Sequence, residues 1–301
     1  MARHPNTRAE NGTPHIDVHQ RITDTIIATL EKGTPPWIKS WNSSQASTRP
    51  LRACGIPYSG INVILLWAEA TNCGYANQTW MTFRQAIELG AHVRKGEHGT
   101  TIVYANRISR TETADDGSEA ERHIAFLKSY TVFNVEQIDS LPERFYLPAP
   151  TLPLGDRTAA AFAFFDACSI SIRHGGTSAH YSPSTDHVQM PDLADFTDEQ
   201  AYIAVLAHEA THWTGAPSRL DRNFGARRFG DEGYCREELV AEMGSAFLCA
   251  DLGIDLEPRP DHASYIADWL IEFNNDKRLV VAAAAHAQRA VDYMTSLQPP
   301  P

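Results

Sequence analysis

The chain has 301 residues, 43% hydrophobic and 21% charged, a composition that excludes a disordered, collagenous or coiled-coil protein and a length that suits two domains. Its formal charge of −11 is unevenly spread: residues 1–110 hold 12 Lys+Arg against 7 Asp+Glu, and the remainder holds 14 against 30. A polyanion is therefore expected to meet the N-terminal part. The five cysteines are widely spaced, odd in number and free of any CxxC pair, which fits a reduced, cytoplasmic protein. The opening MARHPNTRAENGTP lacks the apolar core of a secretion signal, and no run nears the roughly 18 apolar residues of a bilayer span, so no membrane partner is expected.

In chain order, Ile16 to Glu31 sets Ile16, Ile22, Ile26, Ile27 and Leu30 at helical spacing, and Gly33 with Pro35-Pro36 ends the helix. Residues 37–57, with Trp37 and Trp41 among polar and basic residues, read as an ordered surface loop. A second helix begins near Gly60, and a third opens on a Thr82 cap and closes at Gly90. A basic, glycine-bounded turn, Arg94 to Gly99, leads into a strand from Thr100 to Ile108. The acidic stretch 111–122 reads as a hairpin loop, and strand character resumes over 124–138. Four prolines within 141–155 mark a linker. Beyond it come an Ala/Phe-rich helix (156–169), short strands within 170–190, a helix over 197–214, another over 234–252, and helical pieces from 263 to 297. The fold class is α+β: an N-terminal α+β domain (1–140), a Pro-rich linker (141–155), and a mostly helical domain with a small sheet (156–301).

The helix over 197–214 carries His208-Glu209-Ala210-Thr211-His212. Residues four apart lie one above the other on a helix, so both imidazoles reach one ion while Glu209 leans over the same point. Neutral nitrogen donors suit Zn2+, and another divalent transition metal would also fit; a catalytic ion needs a third protein ligand and an open position. The carboxylate of Glu209 is then placed to take a proton from attacking water and pass it to a leaving nitrogen. Apolar Ile203, Leu206, Ala207 and Ala210 would turn the histidines towards a cleft.

Downstream, Glu238 and Glu242 share one face of the helix over 234–252. An HExxH helix beside an ExxxE helix resembles the glutamate zincins, the thermolysin-like peptidases. That resemblance makes Glu238 the third ligand and Glu242 its supporting partner, with Glu242 as ligand the competing choice. Glu237 sits about 100° round the helix and is the weaker candidate. Tyr234, one turn before Glu238, is placed either to donate to an oxyanion or to pack half-buried. The segment SPSTDHVQMP (182–191) is the candidate edge strand that would hold an extended peptide substrate.

For nucleic acid, the case rests on Trp37, Trp41, Tyr58, Trp67, Trp80, Phe83 and Tyr104 interleaved with Lys39, Arg49, Arg52, Arg84, Arg94, Lys95 and Arg107, because stacking beside a cationic groove is how single strands are held irrespective of sequence. Trp67, Trp80 and Phe83 read as core on amphipathic helices. Trp37, Lys39 and Trp41, together with Arg52, Arg84, Arg94 and Lys95, read as the exposed set, with Gly96 and Gly99 letting backbone approach phosphates.

The blocks YSGINVILLW (58–67), WMTFRQAIELGAHVRKGEHGTTIVY (80–104), and TDEQAYIAVLAHEATHWTGAPSRLDR through FGDEGYCREELVAEMGSAFLCADLGI resemble the plasmid antirestriction protein family ArdC over most of the chain. The first block also resembles the start of some plasmid primases. The resemblance implies a single-stranded DNA-binding domain joined to a zincin-like metallopeptidase domain, arranged like DNA–protein crosslink proteases and shielding incoming plasmid DNA from restriction in the bacterial host during conjugation. Residue by residue it implies that His208 and His212 are metal ligands, Glu209 the catalytic glutamate and Glu238 the third ligand. The acidic insert 111–122 departs from a nucleic-acid surface and argues against DNA crossing that hairpin. Two functions compete: a DNA-tethered zinc metallopeptidase, and a non-catalytic protein that coats single strands or blocks a restriction enzyme.

Overall fold

The computed structural model describes residues 18–33, 35–37, 48–113, 119–147, 152–225, 231–256 and 262–300, with backbone alone for 105–113, 119–127 and 262–265. Lys39, Trp41 and the hairpin tip 114–118 lie outside the described residues. Helix α1 (Val18–Leu30) buries Ile22, Ile26 and Leu30 at the spacing expected of an amphipathic helix. They pack on α2 (Ile61–Cys73), which is apolar on nearly every face and buried accordingly. A four-stranded sheet runs in the order β1 (Leu51–Arg52), β2 (Thr79–Met81), β5 (Glu119–Asn134), β4 (Thr100–Thr113), parallel only between β1 and β2. Between β2 and β4 lie α3 (Phe83–Glu88), opened by a reciprocal Thr82–Gln85 capping box, and β3 (His92–Val93), which pairs with β6 (Ile138–Asp139).

The β4–β5 ladder continues to the Thr113–Glu119 pair, so most of the acidic stretch expected as a loop is strand. The backbone ladder holds it without the apolar alternation that hydrophobic patterning detects, and its sequence has none. The Pro-rich stretch also begins as packed chain: Leu141 and Phe145 are buried in a small second core with Met81, Val135 and Ile138.

The C-terminal part comprises α4 (Leu154–Ala167), a three-stranded sheet, and four long helices: α5 (Glu199–Thr214), α6 (Glu232–Leu252), α7 (His262–Asn275) and α8 (Leu279–Ser296). The sheet order is β7 (Ile172–His174), β9 (His187–Met190), β8 (His180–Ser182). The fold is α+β, as expected. Its main hydrophobic core runs without interruption from Ile22 to Met294. Trp37 stacks edge-on against Trp269 of α7, with centroids 5.5 Å apart, and Trp67 of α2 meets Phe247 of α6 at 6.0 Å. Buried Arg49 pairs with Asp251 at 2.7 Å and donates to Gln288 at 2.7 Å, while the Gly60 amide donates to the same Gln288 oxygen.

Candidate metal centre

Helix α5 starts where Asp198 accepts a hydrogen bond from the Ala201 amide, and α6 where Asp231 accepts from Tyr234. The two helices cross closely because Gly244 has no side chain: a Cβ there would come within 2.6 Å of Thr211 Cγ2 and 2.8 Å of its Oγ1. Ser245 fastens the crossing by donating to the Ala204 carbonyl at 3.0 Å. This contact brings the middle of one helix against the first half of the other.

At that place the Nε2 atoms of His208 and His212 face each other at 3.2 Å. Glu238 lies across both, 3.4 Å from His208 Nε2 and 3.6 Å from His212 Nε2. Ligand atoms held by metal bonds of about 2.0–2.2 Å in a tetrahedron stand about 3.3–3.6 Å apart. The three observed separations fall close to that range, so the set fits a small divalent cation with one corner open. His208, His212 and Glu238 form the one group among the described residues whose donor atoms gather this way.

A carboxylate also stands beside each outer ring nitrogen. His208 Nδ1 faces Glu242 at 3.3 Å, and His212 Nδ1 faces Glu237 at 3.1 Å. A carboxylate at Nδ1 draws the ring proton there and leaves the Nε2 lone pair directed inwards. Glu237 is in turn gripped by Arg222, whose Nε and Nη2 donate at 2.9 and 2.7 Å. Burial would raise the Glu237 carboxyl, but hydrogen bonds from His212 and Arg222 and the Arg222 charge override it and hold its pKa at about 2. Burial likewise opposes ionisation of Glu238, yet His208, His212 and a hydrogen bond from Tyr234 pull it below the usual carboxylate range. Tyr234 is half-buried, one turn from Glu238, with its hydroxyl on that carboxylate.

Glu209 is buried, and its Oε2 accepts from the backbone amide of Tyr181 in β8 at 2.8 Å. The strand bordering the site is therefore β8 (180–182). The expected segment 182–191 holds instead β9, the central strand, whose backbone groups are committed on both sides. The ring of Tyr181 is braced by Asp186 at 2.8 Å and by Arg219, which lies over Trp213 at 4.1 Å. Burial, with the bond to Asp186, pushes the Tyr181 phenol up to about 12.

Sequence reasoning missed Glu237 and Arg222. Its angle round the helix keeps Glu237 out of the ligand set, but α6 is buried on every side from Glu237 to Ala250, so adjacent carboxylates meet opposite sides of His212. Arg222 arrives from a turn after α5, and nothing local marks it for burial; its donation to the Thr211 carbonyl at 2.7 Å is a tertiary contact.

The N-terminal candidates are scattered. Trp37, expected to be exposed, is 3% exposed, because Trp269 covers it. Trp67 and Trp80 are buried as expected, though Trp80 lies on a strand, while Phe83 is 51% exposed and contacts Phe133. Arg52 is exposed beside the Tyr58 ring, Arg84 pairs with Glu88 at 2.8 Å, Arg94 pairs with Glu97 at 2.6 Å, and Lys95 is exposed. Gly99 serves packing, since a Cβ there would strike Thr131 and Phe133.

Two family models match the chain: the N-terminal domain of anti-restriction factor ArdC over residues 16–133, and a zincin-like metallopeptidase over residues 159–286. The uncharacterized protein y4eC of Sinorhizobium fredii (strain NBRC 101917 / NGR234) is 42% identical over 290 residues, covering 94% of this chain and 92% of that one. DNA primase TraC of Escherichia coli is 37% identical over 302 residues, 93% of this chain but only 27% of that protein. Crystal structures of antirestriction protein ArdC from plasmid R388, one metal-free and one Mn(II)-bound, superpose with a TM-score of 0.77 at 43% and 42% identity, covering 94% of this chain and 98% of each of theirs. The pairing of an ArdC-type N-terminal domain with two imidazoles and a carboxylate inside a zincin-like domain is thus matched along nearly the whole length: the chain belongs to the ArdC family of antirestriction proteins.

Proposed function

We propose that this chain binds single-stranded DNA through its N-terminal part and carries a zinc-dependent peptidase centre at His208, His212 and Glu238, protecting incoming plasmid DNA from restriction during conjugation. The observation that carries the enzymatic part is the convergence of both Nε2 atoms and Glu238 at separations of 3.2–3.6 Å. A cation bound there supplies Lewis acidity to a substrate carbonyl and to water. The residues around it do the rest. Glu209, turned towards β8 by the Tyr181 amide, takes the proton of the attacking water on its carboxylate and delivers it to the departing amine. Tyr234 donates to the developing oxyanion from beside Glu238. Glu242 and Glu237 hold the two imidazoles in register.

In the DNA-binding part, Lys39, Trp41, Arg52, Arg84, Arg94 and Lys95 supply charge and stacking, and the site of action is the cytoplasm of the recipient bacterium. Among the described residues no helix is long and apolar enough to cross a membrane. The relatedness to R388 ArdC and to DNA primase TraC supports a nucleic-acid partner. Affinity for DNA is expected to fall steeply with salt, because phosphate neutralisation releases counterions.

The Glu209→Ala variant tests the reading. It is expected to retain fold and metal content and to lose peptide hydrolysis by about 10²–10⁴-fold, the usual contribution of a general base. A variant that still cleaves like the parent removes Glu209 from its role. Protection that persists intact in this variant assigns antirestriction to coating single strands or to blocking a restriction enzyme instead, and the acidic balance after residue 110 favours the second of these, by mimicry of DNA.

A further inference from the structure

The β4–β5 ribbon carries two large aromatic rings that the core does not use. Tyr104 is 50% exposed and Tyr130 46% exposed. In the ladder Tyr104 stands opposite Lys128, and Tyr130 stands opposite Ile102. Directly paired residues share a face, as do residues two apart along a strand, so Tyr104, Tyr130 and Lys128 occupy one face with the rings diagonal to each other. Diagonal neighbours are about 7–8 Å apart, more than the roughly 3.4 Å step of stacked B-DNA. Two successive bases can lie on both rings only if the strand is stretched and unpaired.

The support under the rings is firm. Asn62 closes the outer edge of β4 beside Tyr104, donating to the Val103 carbonyl at 2.8 Å and accepting from the Val103 amide at 2.8 Å. Val103, whose side chain takes the face opposite the rings, is buried and anchors the same stretch to the main core. The charge is also of the right sign. The paired segments 100–110 and 122–132 contain Arg107, Arg110, Arg122 and Lys128 and not one Asp or Glu. Acids begin at Glu112 and Glu121, beyond the Arg110–Arg122 pair. Eight residues of strand separate Tyr104 from Glu112, about 26 Å, against a Debye length of about 8 Å at physiological salt. The acidic end of the hairpin therefore repels DNA locally without reaching the two tyrosines.

We infer that Tyr104 and Tyr130, flanked by Lys128, form a stacking platform for two consecutive unpaired bases of single-stranded DNA. This rests on the DNA-binding reading above and locates it on the β4–β5 ribbon, where Tyr104, one of the aromatics in the sequence pattern, is joined by Tyr130 and Lys128. Stacking on exposed tyrosines is tolerant of base identity, which suits a protein that must accept any plasmid sequence.

The test is the affinity of the full chain for a fluorescein-labelled 20-nucleotide oligothymidine, measured by anisotropy at fixed salt, alongside a duplex of equal length. Tyr104→Ala with Tyr130→Ala is expected to weaken single-strand binding by about tenfold per ring, whereas Tyr104→Phe with Tyr130→Phe keeps the parent affinity because the π faces remain. Lys128→Ala is expected to lower the salt slope by about one unit. Circular-dichroism melts check the fold of each variant; if the double alanine variant melts early, the two single alanine variants decide. Parent-like affinity in the alanine variants overturns the platform while leaving DNA binding in place. Failure of the parent to bind the oligonucleotide sinks both the platform and the reading beneath it. Equal binding of the duplex, equally lost in the alanine variants, refutes the unpaired-base geometry.

Discussion

Replacing Arg222 with methionine is expected to destabilise the metal-free protein by about 3–5 kcal/mol at neutral pH, the usual cost of stranding one partner of a buried ion pair. The Arg222 side chain is 1% exposed and makes two bonds to Glu237, one to the Thr211 carbonyl and one to Thr214 Oγ1. A separate route gives a similar size. Glu237 titrates at about 2 in the fold against an ordinary 4.5, and a gap of about 2.5 units is worth about 3 kcal/mol. Because the folded value is the lower one, this stability is fully present above pH 4.5 and is lost as pH falls through 2; in the variant that acid-sensitive portion shrinks. Urea unfolding of parent, Arg222→Met and Arg222→Met with Glu237→Gln, at pH 7 and pH 3, measures it. The double variant is expected to recover more than half of the loss, because a neutral amide leaves no charge buried alone and still accepts from His212 Nδ1. If the second substitution recovers nothing, the cost of the first lay in lost packing and the ion-pair argument is wrong.

Gly244→Ala is expected to cost about 1–3 kcal/mol through overpacking against Thr211, outweighing the helix gain of up to about 1 kcal/mol, and to weaken metal uptake by spreading α5 from α6. Adding Thr211→Ala should restore most of it; a thermal melt of Gly244→Ala at or above the parent temperature would contradict the close-crossing argument. Residues 1–147 and 152–301 produced separately are expected to lack a fixed tertiary structure, since Trp37, Trp67 and Arg49 are covered from the other side by Trp269, Phe247 and Asp251. Near-ultraviolet circular dichroism reports this, and cooperative unfolding of either piece counts against a shared core. Asn62→Ala is expected to leave the Val103 amide and carbonyl without their side-chain partner, at about 2 kcal/mol, and to speed hydrogen exchange at Val103. Unchanged protection at that amide would show that the edge of β4 does not depend on Asn62.

Patterns with a local cause were legible from residues alone. The four-residue spacing of His208 and His212 and the Thr82 cap each depend on groups within one helical turn, and each appears in the fold where its spacing places it. Patterns governed by distant partners were not. Trp37 has the neighbours of a surface loop residue and is buried only because α7 folds over it. The acidic hairpin has the composition of a loop and is held as strand by its pairing across 14 rungs. The choice of β8 over β9 as the strand beside Glu209 was decided by strand order, which alternation along either strand does not encode.

By itself, the amino-acid order determined that two imidazoles would share one face of a helix, that an acidic helix would follow, and that the chain would mix helices with small sheets. Periodicity and capping act over a few residues, so those outcomes are written locally. Only the tertiary structure decided that Glu237 and Glu242 stand behind different histidines, that Arg222 neutralises the first of them, and that Tyr104 and Tyr130 stand exposed side by side on the ribbon. Each of these depends on how closely one element approaches another, and that distance is set by the packing of the whole core.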